Sequence, residues 1–456
     1  MKRVILLALV VLLASSSLAL AQQSKSYVLQ AAGKWTAVHT QAVLAAGGSL
    51  TFSHEETGLG VVTSTNASFA KQVAGLAKFS AVTPDMMVEW QKPVTAGLVE
   101  AAVDPNPPTD SLYPFIQWAP QAVHAPEAWT AGCTGSGVRV AILDGGLYNS
   151  HADLAEAVDV TASRSFVPDQ PFNNDTGTFW HGTHVAGIVA AGANGIGIVG
   201  IAPEATIIGV KVLHGGSGSF GWIISGLLYA ATPLSAGGAG AQVINMSLGA
   251  VFPKNARGAG PLVAALNKAV NYADRSGVLV VSAAGNNYLD LDHSFNYVSV
   301  PAQSGSGIAV SATGPVGFAY GEINFSRIAS YTNYGTSVVT VAAPGGDDVY
   351  PGNELCSLPL ANGTPVEIPC WAFDMVISTV RGSGSSISTY SWADGTSMAA
   401  PAVAAVAALA IQARPGISLG ALKTLIAKSA DDLGKVGRDP FYGSGFVNAY
   451  KACTGR

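Results

Sequence analysis

The chain has 456 residues, 49% of them hydrophobic and only 11% charged. That mix excludes a disordered chain and gives enough apolar surface for a full core, with two or three domains expected from the length. Lys and Arg number 23 against 28 Asp and Glu, a formal net charge of −5 with no basic run, so nucleic acid is not an expected partner.

The first 21 residues stand apart. Lys2 and Arg3 precede an apolar run from Val4 to Leu13, and Ala19-Leu20-Ala21 has the small-x-small form of a cleavage site. This order reads as a secretory signal peptide cut before Gln22. The run is shorter than the ~20 residues that span a bilayer. No later segment reads as long enough either, so a soluble exported chain without a membrane partner is expected, extracellular or periplasmic.

Residues 27–90 read as a small domain. Its predicted elements are a strand Tyr27–Gln30, a helix over Lys34–Ala46, strands Ser49–Ser53 and Leu59–Ser64, a helix over Ser68–Ala77, and a last extended piece Met86–Trp90. The β-α-β-β-α-β order is ferredoxin-like, and nothing in it is equipped for chemistry. Pro93, Pro105, Pro107 and Pro108, with Gly97 between them, mark 91–109 as an exposed linker.

From about residue 110 short apolar strands alternate with helical runs. The strands are Val138–Leu143, Thr206–Val212, Val243–Met246, Val278–Ala283, Gly307–Ala312 and Ser337–Ala342. The helices are Thr183–Ala193, Trp222–Ala231, Pro261–Ser276 and Ser397–Ala413. The alternation predicts an α/β domain with a doubly wound, mostly parallel sheet. Residues 346–375 carry two cysteines and four prolines and resemble a disulfide-closed loop insertion.

Cys133, Cys356, Cys370 and Cys453 suit an oxidising compartment and lack metal-ligand spacing. Four cysteines allow three pairings that sequence alone does not select. The short loop favours Cys356 with Cys370, which leaves Cys133 with Cys453.

Three polar residues stand where the apolar pattern gives no reason for them. Asp144 ends a strand and precedes two glycines, His181 opens His-Gly-Thr-His before a helix, and Ser397 sits in Gly-Thr-Ser-Met-Ala at the start of an Ala-rich helix. Singly, each is more simply a helix cap or a packing residue. Together they are the types nucleophilic catalysis needs: a hydroxyl, a base to take its proton, and a group that orients the base.

Asp-Gly-Gly, His-Gly-Thr-His-Val-Ala-Gly and Gly-Thr-Ser-Met-Ala-Ala-Pro occur in the order Asp, His, Ser, the order found in subtilisin. From about Asp110 to Gly443-Ser444-Gly445-Phe446-Val447-Asn448 the chain resembles the subtilisin-like serine proteases, or subtilases. The resemblance implies a secreted endopeptidase, expected as a monomer, acting on proteins or peptides. It also implies that residues 22–91 are a propeptide that inhibits the enzyme and aids its folding, removed by self-cleavage within 92–109, leaving the catalytic domain 110–456.

By the same resemblance Ser397 is the nucleophile, His181 the general base with His184 a packing residue, and Asp144 the orienting carboxylate. Asn286, in Ala283-Ala284-Gly285-Asn286, is the oxyanion donor together with the Ser397 N–H, and Pro401 fits near the helix start. Ser247, Leu248 and Gly249 resemble the strand lining the primary pocket, with Ala284 and Gly285 beside it. Ser217, Gly218 and Phe220 resemble the edge that pairs with an extended peptide. Asp110, Asp153 and Asn194, with carbonyls of Gly192, Ile196 and Ile198, stand where the family holds structural calcium; all are oxygen donors suited to a hard cation.

The pattern departs at Gly145, where the family has Ser or Thr, and a looser Asp144 turn is expected there. Ala402 stands where His is common, and Ala250 where Gly is frequent. Asp290 and Asp292 would bias the primary pocket toward basic side chains, though surface acids are the plainer reading. Three rivals remain. One is a catalytically silent subtilase fold acting as a binding protein, at odds with four filled catalytic positions. A nucleotide-dependent oxidoreductase would rest on Gly195-Ile196-Gly197-Ile198-Val199-Gly200, which neither follows a strand nor opens a helix. An α/β-hydrolase esterase is opposed by the triad order.

Overall fold

The computed structural model describes residues 23–90, 94–100, 112–113, 115–175, 180–360, 363–382 and 389–455. The expected signal peptide, Asp110 and most of the expected linker lie outside these residues.

The small domain runs β1 (Lys25–Ala31), α1 (Ala37–Ala45), β2 (Gly48–His54), β3 (Leu59–Ser64), α2 (Phe69–Leu76) and β4 (Phe79–Pro84). Its antiparallel sheet has the order β2-β3-β1-β4. Alternation along β1 sorts the two faces. Tyr27, Leu29 and Ala31 join Trp35, Val43, Phe69 and Val73 beneath the helices, whereas Val28 enters a core shared with the large domain.

Two features differ from expectation. The closing strand is β4, whose alternation is weak in sequence, and not Met86–Trp90. Met87–Glu89 (β5) instead leaves the small sheet and pairs with the large domain. Within the expected linker, residues 94–100 form strand β6.

The large domain continues through α3 (Ala119–Ala122), α4 (Ala125–Thr130), β7 (Arg139–Asp144), β8 (Arg164–Ser165), α5 (His181–Ala190), β9 (Thr206–Lys211), β10 (Ser217–Ser219), α6 (Phe220–Ala231), β11 (Val243–Met246) and β12 (Ala250–Pro253). Then follow α7 (Ala259–Arg275), β13 (Leu279–Ala283), β14 (Tyr297–Val300), β15 (Ile308–Thr313), β16 (Val339–Pro344), β17 (Leu355–Pro359), β18 (Pro365–Pro369), β19 (Val376–Val380), β20 (Thr389–Asp394), α8 (Thr396–Ala413), α9 (Leu419–Ser429) and α10 (Ala449–Thr454). The order β16-β15-β13-β11-β7-β9-β8 is parallel throughout. One core cluster packs α5 and α8 on the sheet, and another packs α6 and α7, so the sheet is doubly wound.

Helix α8 is fully buried from Thr396 to Ala410. Alanine is the best helix former and small enough to run a helix through a core. Contrary to the sequence expectation, α8 is long and apolar enough to cross a membrane by length and composition, but 83% of that window is buried inside the protein. Helix α5 begins on His181 and ends at Ala190, shorter at its C-terminus than expected, because the chain turns back there: the Gly192 N–H reaches the Asp153 carbonyl at 2.9 Å. The disulfides pair Cys356 with Cys370, closing the β17–β18 hairpin of the insertion, and Cys133 with Cys453, tying the end of α4 to α10.

Candidate active site

Asp144 is the last residue of β7, Lys211 the last of β9, Ser247 follows β11 and Asn286 follows β13. All stand at the carboxyl ends of parallel strands, where open α/β sheets gather ligand sites. Helix α5 brings His181 to the same edge, and α8, packed against α5, brings Ser397 in its first turn.

His181 Nδ1 lies 2.8 and 2.9 Å from the two Asp144 carboxylate oxygens, and the residues are 2% and 1% exposed. A carboxylate can only accept, so the Nδ1 proton points at Asp144 and Nε2 is left as the basic atom. Burial pulls the imidazole pKa down, but the charge of Asp144 and its hydrogen bond outweigh that, and the net shift is upward from 6.5. Glycine is required at 182, since a Cβ there would stand 2.0 Å from the Gly146 carbonyl oxygen; this close approach seats α5 on the Asp144 turn. His184, by contrast, is buried with Nε2 3.1 Å from the Ser391 carbonyl, and burial lowers its pKa to about 3.

The Ser397 hydroxyl donates to the Ser247 carbonyl oxygen at 3.2 Å, and the Ser247 hydroxyl returns a bond to the Ser397 carbonyl at 2.6 Å. Pro401 explains the second bond. It lies inside α8 and has no N–H to give the carbonyl four residues back, so Ser247 supplies the donor. The Asn245 amide donates to the Ser247 hydroxyl at 2.9 Å. Asn286 is oriented by Thr396: its Oδ1 accepts the Thr396 N–H at 2.9 Å and hydroxyl at 2.7 Å, while the Gly285 N–H donates to that hydroxyl at 3.0 Å.

Sequence reasoning missed three buried residues beside the Asp144–His181 pair. Lys211 has no exposed surface, and its ammonium donates to the Gly145 carbonyl and, at 3.0 Å, to that of Asn174. Burial lowers its pKa to about 8. The Thr183 hydroxyl donates to Asp175, whose carboxyl is pushed up to about 7 by burial. A lone lysine closing an apolar strand was the available signal. The lysine also bears on the Gly145 departure: the Asp144 turn is tied by the Gly145 N–H on Asp144 at 2.6 Å and by Lys211 on the Gly145 carbonyl.

Among the expected substrate residues, Ser217, Gly218 and Ser219 pair antiparallel with Glu89, Val88 and Met87 of the chain's own β5. The Trp90 indole donates to the Gly218 carbonyl at 3.3 Å, and its ring lies 6.1 Å from Phe220, which is fully buried. Leu248 is buried, Gly249 leads into β12, and Ala284 and Gly285 leave β13. Asp290 is engaged by His293 at 2.7 Å, and Asp292 by Ser337 at 2.5 Å; both fit the surface reading.

Asp153 is buried, with one carboxylate oxygen accepting the Tyr390 hydroxyl at 2.7 Å and the Ile198 N–H at 3.2 Å. Asn194 Oδ1 accepts the Ile196 N–H at 3.1 Å. Asp153, Gly192 and Asn194 line a cavity of about 430 Å³ with Glu156 and Glu204. Trp129, Ala157 and Pro203 form apolar walls of the same cavity, while the carboxylates of Asp153, Glu156 and Glu204 and the Asn194 amide supply oxygen donors of the kind a hard cation takes. The Gly195–Gly200 stretch belongs to this loop and opens no helix. Asp347, Asp348 and Asp394 form another acidic group, in which Asp347 is paired with Arg327 at 2.6 Å.

A doubly wound α/β domain with a buried Asp–His pair and a helix-borne serine at the same sheet edge carries the residue types of a serine hydrolase. The chain belongs to the subtilase family, whose model matches residues 135–445. It is 37% identical over 338 residues to M-protease of Shouchella clausii, covering 74% of this chain and 70% of that protein. It is 36% identical over 338 residues to subtilisin Savinase of Lederbergia lenta, covering 74% and 98%. A protease structure from Pseudoalteromonas arctica superposes with a TM-score of 0.59 at 31% identity, covering 77% of this chain and 99% of that one. Fervidolysin of Fervidobacterium pennivorans shares the fold, with a TM-score of 0.68 at 23% identity over 95% of this chain and 61% of that one.

Proposed function

We propose that the protein is a secreted serine endopeptidase made as a precursor, hydrolysing protein and peptide substrates through Asp144, His181 and Ser397. The Ser397 hydroxyl turns from the Ser247 carbonyl to His181 Nε2, gives up its proton there and attacks the peptide carbonyl carbon. Negative charge moves to the substrate oxygen, where the Asn286 amide and the Ser397 N–H meet it, helped by the positive end of α8. Collapse breaks the C–N bond, and His181 returns the proton to the leaving amine. Water, deprotonated by His181, then cleaves the acyl ester and frees Ser397. His181 must be neutral to start, so turnover rises with pH through an imidazole pKa above 6.5.

Residues 22–91 act in this reading as a ferredoxin-like inhibitory propeptide, cut away within 92–109 by the enzyme itself. The pairing of β5 with β10 carries this reading, because an extended substrate adds to a sheet edge in the same way. Asp153 and Asn194, with carbonyls of Gly192, Ile196 and Ile198 and with Asp110, would hold a calcium ion as a structural tie.

A fluorophosphonate probe and a casein assay test the proposal. The wild type is expected to label and hydrolyse, and Ser397→Ala to do neither, a loss on the order of 10⁶-fold in turnover. A wild type that folds but neither labels nor hydrolyses would support the binding-protein reading instead.

A further inference from the structure

The loop that carries Asn286 is held by a segment far away in sequence. Asn333 has no exposed surface. Its Oδ1 accepts the N–H groups of Asn287 at 3.0 Å and Leu289 at 2.9 Å, and its Nδ2 donates to the Ala284 carbonyl at 2.9 Å. Its own N–H donates to the Gly285 carbonyl at 2.8 Å. These four bonds straddle Asn286, two before it and two after. Tyr288 lies at φ 51°, a left-handed conformation costly for a bulky residue, and its N–H is fixed by the Tyr331 carbonyl at 2.8 Å.

Glycine at 285 records the same closeness. Its φ is +105°, and a Cβ there would stand 2.4 Å from Asn333 Nδ2, so the amide lies directly against the peptide that precedes Asn286. Only a side chain that accepts twice and donates once satisfies this surround. Aspartate has no proton for Ala284, and an apolar residue would leave the Asn287 and Leu289 N–H groups and the buried Ala284 carbonyl without these bonds.

We propose that Asn333 is the positioning residue of the oxyanion site: by clamping 284–289 it fixes where the Asn286 amide stands when charge develops on the substrate oxygen. This rests on the reading of Asn286 as the oxyanion donor. Such a donor helps only if it is already in place, and displacing a reacting group by ~1 Å costs up to ~10² in rate.

The test is a double-mutant cycle of Asn333→Ala and Asn286→Ala in the matured enzyme, with kcat and KM measured on a peptide anilide. Asn286→Ala is expected to lower kcat ~10²–10³-fold and Asn333→Ala ~10–10²-fold, both with KM little changed. The double variant should be no slower than Asn286→Ala alone, because Asn333 acts through that amide. Losses that multiply would overturn the proposal by placing the role of Asn333 elsewhere, as would an undiminished kcat in Asn333→Ala beside a slow Asn286→Ala. An unchanged Asn286→Ala would overturn the oxyanion reading itself and the proposal with it. Should Asn333→Ala fail to fold, Asn333→Ser, whose hydroxyl still accepts one N–H, carries the same comparison.

Discussion

The two domains bury polar groups very differently. Among the described residues, the small domain buries only Thr57, Ser64 and Thr83 of its polar side chains and no charged one, whereas the large domain buries Asp144, Asp175, His181, Lys211 and several more. Buried charges are costly unless paired, so a domain that keeps them at one sheet edge is keeping a site. The small domain also completes its core with borrowed surface: Val28, Leu59 and Trp90 belong to the cluster of α6 and α7, and Asp85 accepts the Gly221 N–H of α6 at 3.1 Å. The difference is the one that the proposed roles require, a propeptide that leaves and a catalytic domain that stays.

The contrast breaks most easily at the shared core. Val28→Asp places an unpaired carboxylate between β1 and α6 and should weaken inhibition of the matured enzyme by added N-terminal segment at least ~10²-fold. Hydrolysis by the matured enzyme alone should be unchanged. An unaltered inhibition constant would show that the interface does not depend on this face.

A smaller effect sharpens the contrast through pH. Burial lowers His151 to about 4 and His184 to about 3. At these two sites the unfolded chain takes up protons from pH 6.5 downward while the folded chain does not, so they lower stability as pH falls from 6.5 toward 4. Asp175, raised to about 7 by burial, offsets part of this because it is protonated first in the folded chain. Urea midpoints of the matured enzyme should drop over that window and drop less in His151→Gln. In the uncleaved precursor His54 of the small domain, packed 4.4 Å from Tyr272 and lowered mainly by burial, should add a lesser share to the same trend. Midpoints flat from pH 6.5 to 4 would contradict the account.

Asp144, His181 and Ser397 were legible because each interrupts an apolar pattern in a motif whose spacing tolerates few readings. The parallel strands were legible for a related reason, since continuous apolar runs mark strands buried on both faces. Lys211, Asp175 and Asn333 were not, because what makes each of them matter is a tertiary partner far away in sequence. Strand β4 was missed because Phe79–Pro84 alternates only weakly, and the role of Met87–Glu89 depends on an edge more than a hundred residues later. The β19–β20 hairpin, which leads directly into the Ser397 helix, was also absent from the sequence reading; β20 is the central strand of a three-stranded antiparallel sheet in the order β19-β20-β6, pairing Asp394 with Val94 of β6.

The most direct test is the intact mass of the secreted protein, wild type beside Ser397→Ala. The account predicts that the wild type loses its N-terminal segment, roughly 85–90 residues beyond the signal peptide as the domain boundary implies, while Ser397→Ala keeps it. Two full-length proteins, or two trimmed alike, would contradict self-cleavage through Ser397.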